Sequence, residues 1–119
     1  MDVTTEELAS RLSEDSRLVV LDVRTPQEFE GVAGYPCDAR QGHIPGSLHL
    51  EVSELLGLDD AELRERLGDP AAVEIVAYCH SGSRSALAAM ALRSAGYRAR
   101  NYPGSWHEWS RHDELPLER

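Results

Sequence analysis

Val73-Glu74-Ile75-Val76-Ala77-Tyr78 runs straight into Cys79-His80-Ser81-Gly82-Ser83-Arg84-Ser85, and that loop into an alanine-rich stretch over 86–95. A β-branched apolar run, a Gly/Ser loop and a strong helix former in succession read as strand, tight turn and helix. A lone cysteine therefore lies at the mouth of a helix. Unpaired N–H groups of a first helical turn carry roughly half a positive charge. Beside such a terminus, or a cation such as Arg84, a thiol pKa of about 8.5 falls to roughly 3.5–7.5. Gly82 can adopt a positive φ that turns successive N–H groups inward, while Ser81, Ser83 and Ser85 add hydroxyl donors without filling the bowl. Such a bowl holds a sulfur anion or an oxyanion. Free cysteine is often only a small buried hydrophobe, but the glycine, serines and arginine after Cys79 favour a nucleophile.

Working outward, Leu18-Val19-Val20-Leu21 is a continuous apolar run, the mark of a strand buried on both faces of a parallel sheet. It ends in Asp22-Val23-Arg24, where open α/β sheets place their ligands. Asp22 and Arg24 either border the Cys79 bowl or pair, with each other or with Glu28, as structural links. Thr25-Pro26-Gln27-Glu28 is a capping box with proline at the first helical position, opening a short helix through Phe29. Thr4 and Glu7 begin a similar box before Leu8 and Leu12.

Residues 31–41 show neither helical nor strand period and read as a loop; its Cys37 is either a resolving thiol for Cys79 or a bystander. Gly42-His43-Ile44-Pro45-Gly46 is a rigid turn into a short strand over 47–50. His43 is the obvious general-base candidate, yet a turn histidine bonded to backbone is the simpler expectation. Helices are expected over 52–56 and 59–67, the second stopped by Gly68. The helix over 86–95 is apolar almost all round, which predicts deep packing with Met90 in the core. Gly96 ends it, and 97–102 gives a last strand. Trp106 and Trp109 share a helical face and either cover the core or wall the bowl. His107 and His112 have no partner spacing that suggests a metal, and 111–119 reads as polar surface.

A net charge of -9 and a pI near 4.9 argue against nucleic acid or an anionic membrane as partner. The 119 residues fit a single domain, 1–119. Cys37 and Cys79 form no C-x-x-C pair, no apolar run approaches membrane-spanning length, and no leader-like segment opens the chain, so the reducing cytoplasm is the expected compartment. No motif asks for a cofactor or a metal.

Four motifs in order make the chain recognisable. They are Leu21-Asp22-Val23-Arg24 with Glu28-Phe29, then Gly42 to Ser47, then Cys79 to Ser85, then Tyr102-Pro103-Gly104-Ser105-Trp106. Together they resemble the rhodanese-like family over nearly the whole length. The resemblance implies an α/β fold with a mainly parallel five-stranded sheet flanked by helices on both faces. It implies that Cys79 carries sulfane sulfur as a persulfide, that the amides of His80 to Ser85 hold it, and that Arg84 grips a donor's sulfonate. His80 stands where such loops frequently carry arginine.

The implied activity is a sulfurtransferase, moving sulfur from a donor such as thiosulfate to a thiol or cyanide through a Cys79 persulfide. The alternative is a module that binds a partner or carries sulfur in a protein relay. A phosphatase or arsenate reductase is less consistent, because those enzymes place five residues between cysteine and arginine and only His80 to Ser83 intervene here.

Overall fold

The computed structural model describes residues 2–119. Its sheet holds β1 (Leu18–Asp22), β2 (Leu48–His49), β3 (Glu74–Tyr78) and β4 (Arg98–Asn101), all parallel, in the order β2-β1-β3-β4. β1 and β3 pair along their whole lengths, Leu18 opposite Glu74 through Asp22 opposite Tyr78. Their ends therefore coincide, and the segments leaving them, 23–25 and 79–85, start side by side at the carboxyl end of the sheet.

Strand side chains alternate between the two faces, and each face has its own core. On one, Leu21, Val23, Ile75, Ala77 and Cys79 pack with residues of α3 (Val52–Leu56), α4 (Asp60–Leu67) and α5 (Ser83–Ser94). On the other, Val20, Val76 and Tyr78 meet Leu8 of α1 (Thr5–Arg11) and both tryptophans of α6 (Ser105–Arg111). The short α2 (Pro26–Phe29) follows β1.

The expected five-stranded sheet is corrected to four strands among the described residues. Val3 donates to the Asn101 carbonyl at 2.8 Å beside β4, but the chain enters α1 at Thr5 and no ladder forms. The helix starts follow the capping chemistry. Thr25 and Glu28 close both halves of their box, as do Asp59 and Glu62 at α4. At α1 Thr4 accepts from the Glu7 amide, while the Glu7 carboxylate turns to Arg100 instead of the cap.

Two further expectations are revised. Met90 is not in the core: it is 58% exposed and Leu87 48%, because α5 lies on one face of the sheet and meets it with Ser85, Ala88, Ala89 and Leu92. Its first turn also takes in Ser83, Arg84 and Ser85, so the helix begins three residues earlier than the alanine-rich stretch. The tail is more than polar surface. Glu118 bridges to His43 in antiparallel fashion, and Leu115 and Leu117 pack on the tryptophan-side core. Among the described residues no helix is long and apolar enough to cross a membrane.

Candidate active site

Cys79 is the first residue beyond β3, and its backbone is held by the segment that starts α6. Its N–H donates to the Ser105 hydroxyl oxygen at 3.0 Å, and its carbonyl accepts the Trp106 N–H at 2.9 Å. Ser105 sits at φ 55°, a left-handed conformation uncommon for a residue with a side chain. Its buried hydroxyl also donates to the Tyr102 carbonyl at 2.8 Å, so the unusual backbone places a group that completes two hydrogen bonds.

The sulfur faces inward over α5. The Gly82 N–H donates to Sγ at 3.1 Å and the Ser85 hydroxyl at 3.4 Å. Gly82 has φ +100°, and a Cβ there would lie 2.8 Å from the Pro103 carbonyl oxygen, so both conformation and space require glycine. Asn101 donates to the Gly82 carbonyl at 3.2 Å and fixes the turn from β4. No side chain caps α5, which leaves the N–H groups of its first turn for the sulfur. Of the three serines only Ser85 is buried against Cys79; Ser81 and Ser83 are exposed.

Burial pushes the Cys79 thiol up. The Ser85 hydroxyl and the amides of Ser85, Gly82 and Ser81 outweigh it and leave the thiol below its ordinary range. The arrangement therefore lowers the cost of forming a thiolate inside a largely apolar cluster, the form in which a sulfur nucleophile reacts.

Arg84 does not stand free. Its guanidinium meets the Glu28 carboxylate with two prongs, at 2.9 and 3.2 Å, and this bond leads the influences that hold Arg84 charged. Burial raises the Glu28 carboxyl, but Arg84 and the Thr25 amide and hydroxyl bring it below the usual range. The capping carboxylate of α2 is thus also the partner of the loop arginine.

Asp22 and Arg24 pair with each other at the end of β1. The guanidinium Nη2 lies 2.7 Å from the Asp22 carboxylate and 2.6 Å from the Gly42 carbonyl, and its face lies over the rings of Tyr78 and Trp106. His43 Nδ1 is 2.7 Å from the Phe29 carbonyl and its ring stacks on Phe29, as expected of a turn histidine. Trp106 and Trp109 are both fully buried, so both cover the core and neither lies open to the bowl.

His80 turns away from the sulfur. It stacks on Tyr35 with ring centroids 3.7 Å apart and places Nε2 2.9 Å from Asp38 Oδ1, which also meets His107 Nδ1 at 2.9 Å. Cys37 Sγ is 3.9 Å from the same His80 nitrogen. The sequence showed no site role for Asp38 or Asn101, and Ser105 stood in it only as a member of the fourth motif. Asp38 sits in a loop without period, and the other two act through tertiary contacts that no local spacing reveals. Glu28 alone carried a signal, its capping box.

Comparison with known proteins agrees with this architecture. The family model described as Rhodanese-like domain matches residues 4–112. The thiosulfate sulfurtransferase of Pseudomonas aeruginosa is 33% identical over 124 residues, covering 97% of this chain and 45% of that protein. The sulfur carrier protein TtuD of Thermus thermophilus is 34% identical over 114 residues, covering 82% of this chain and 40% of its own. A crystal structure described as a probable thiosulfate sulfurtransferase superimposes with a TM-score of 0.82 at 45% identity, covering 99% of this chain and 47% of its own. The chain thus spans less than half the length of these relatives. With a matched domain model over most of its length and a cysteine cradled at the end of a parallel strand, the chain belongs to the rhodanese-like domain family.

Proposed function

We propose that residues 1–119 act as one rhodanese-like domain that transfers sulfane sulfur through a persulfide on Cys79, in the reducing cytoplasm where its thiolate persists. The observation that carries this reading is the sulfur cradle: the Gly82 amide at 3.1 Å and the Ser85 hydroxyl at 3.4 Å from Sγ, with the thiol lowered despite burial. The names of the Pseudomonas aeruginosa protein and of the structural neighbour support it.

In the first half-reaction the Cys79 thiolate attacks the outer sulfur of thiosulfate. The new Cys79 S–S bond forms as the donor's S–S bond breaks, and sulfite leaves with the electron pair. The terminal persulfide sulfur carries the negative charge, and the amides of the Cys79 to Ser85 loop stabilise it. A thiolate or cyanide then attacks that sulfur and the Cys79 thiolate departs. Both nucleophiles and both leaving groups are anions, so no general base is needed. His43, committed to Phe29 and the tail, has no part in it.

A second reading, a carrier charged by a protein persulfide, is favoured by one observation. The loop's guanidinium, Arg84, is already bound to Glu28, so a sulfonate must displace a carboxylate to reach it. The sulfur carrier relative from Thermus thermophilus fits this reading. Intact mass after incubation with thiosulfate tests both. Wild type is expected to gain one sulfur that cyanide discharges as thiocyanate, and Cys79→Ser to gain none. A gain seen only with a protein persulfide donor selects the carrier, and a gain that survives Cys79→Ser overturns the assignment.

A further inference from the structure

Beside the sulfur cradle, four side chains from three distant segments converge without any role in sulfur transfer. Cys37 and Asp38 come from the loop between α2 and β2, His80 from the residue after the nucleophile, and His107 from α6. Cys37 Sγ, the Asp38 carboxylate, His80 Nε2 and His107 Nδ1 offer ligand atoms that all lie within 4.8 Å of one another. From this cluster we infer a binding site for one divalent transition-metal ion of the zinc class.

Geometry and donor chemistry both fit such an ion. Zinc bonds sulfur at about 2.3 Å and nitrogen or oxygen at about 2.0–2.2 Å, so a tetrahedral set needs ligand atoms roughly 3.3–3.8 Å apart. The separations run from 2.9 Å between Asp38 Oδ1 and each histidine nitrogen, through 3.9 Å from Cys37 Sγ to His80, to no more than 4.8 Å for any pair, so side-chain shifts of about an ångström bring all four to that edge. A thiolate, two imidazoles and one carboxylate select zinc-like ions over magnesium or calcium, which prefer oxygen. Two anionic ligands neutralise the ion, as a half-buried site requires.

A second, independent observation points the same way. The Asp38 side chain is 1% exposed, and its Oδ2 is buried without any hydrogen-bond partner. A buried carboxylate oxygen left open in a cluster of metal-binding side chains is what a ligand-accepting site leaves behind. Exposed Cys37 supplies the entry path.

The surrounding structure holds the ligands in place. The turn that carries Cys37 and Asp38 is closed by the Asp38 N–H to the Tyr35 carbonyl at 3.0 Å. Tyr35 stacks on His80 and fixes its ring. The His107 N–H donates to the His80 carbonyl at 3.0 Å, locking two ligands to each other through the backbone. Arg40 ties the end of the loop to the carbonyls of Ser110 and His112 at the C-terminal end of α6. No motif spacing announces this set, because the positions 37, 38, 80 and 107 meet only through the fold. On binding, the Cys37 thiol releases its proton to solvent and becomes a ligand, which removes it as a resolving thiol and pins the loop beside the nucleophile.

Titration of the metal-free protein with cobalt(II) tests the site. Expected is one equivalent bound with the intense visible bands of tetrahedral cobalt and a thiolate-to-cobalt charge-transfer band. Cys37→Ser is expected to abolish the charge-transfer band. His107→Gln and Asp38→Asn should each weaken binding by more than about tenfold, a loss that even outer partners of a metal commonly cause. Cys79→Ser should bind cobalt as wild type does, so failure of the sulfur-transfer reading leaves this result untouched. Cys37 is exposed and His107 only half-buried, and matching circular dichroism verifies that their variants fold. A weak octahedral spectrum at one equivalent overturns the site. So does a charge-transfer band that survives Cys37→Ser and disappears with Cys79→Ser.

Discussion

Two arginine–carboxylate pairs flank the carboxyl end of the sheet, and burial sets them apart. Arg24 and Asp22 are two residues apart in sequence, with side chains 1% and 0% exposed, and Arg24 is further enclosed by Tyr78, Trp106 and the Gly42 carbonyl. Arg84 and Glu28 come from different segments, with side chains 29% and 8% exposed. The first pair is sealed from water, so neither member can lose its partner without leaving a bare charge in the core. The second is partly wetted, and its arginine can trade a carboxylate for another anion at modest cost. Similar chemistry thus stands in two settings, one sealed in the core and one half open beside the Cys79 cradle.

The largest expected effect breaks the sealed pair. Asp22→Ala strands the Arg24 guanidinium and should cost about 3–5 kcal/mol of stability by urea denaturation. A loss below about 1 kcal/mol, the range of exposed pairs, would show that the two pairs are energetically alike.

A smaller effect sharpens the contrast at the second pair. Arg84→Ala should cost about 1–2 kcal/mol in the same denaturation, less than the sealed pair, because Arg84 is partly wetted and the Thr25 amide and hydroxyl still bond the buried Glu28 carboxylate. It should nonetheless raise KM for thiosulfate in a sulfite-release assay. Glu28→Gln should move KM the other way, by freeing the guanidinium. Equal KM in both variants would remove Arg84 from donor binding.

The smallest effect is a pH dependence. The folded-state pKa of Glu28 lies below its unfolded value, with burial opposing and Arg84 and Thr25 prevailing. Its contribution is therefore complete above the unfolded carboxylate value of about 4.3 and is lost as pH falls through the lower folded value. Denaturation midpoints of wild type and Glu28→Gln should converge in that acidic window. A gap that persists below it would assign the stabilisation to the shape of the side chain rather than its charge.

How much of this was legible in the sequence follows from the range of each interaction. Capping boxes, apolar runs and the glycine at the helix mouth act within a few residues, and Thr25, Asp59, Leu18 to Leu21 and Gly82 were readable for that reason. Cys79 was legible because its donors, Gly82 and Ser85, follow it directly. Ser105 was not, since the contact between its hydroxyl and the Cys79 amide spans 26 residues. The exposure of Met90 was missed because an alanine-rich helix has no polar stripe to mark its outer face. The fifth strand was an expectation of resemblance alone, and residues 2–4 of this chain make one backbone hydrogen bond to β4, from Val3, an Arg100 contact at the Asp2 carbonyl and the Thr4 helix cap.

The Ser105 and Trp106 contacts also have a consequence in time. β3, the loop and α5 precede Ser105 in the chain, so Cys79 is made before the groups that bond its N–H and carbonyl in the fold. Local pieces such as α5 can form early, whereas contacts between distant segments come late. The backbone around Cys79 is therefore among the last parts of the domain to be seated.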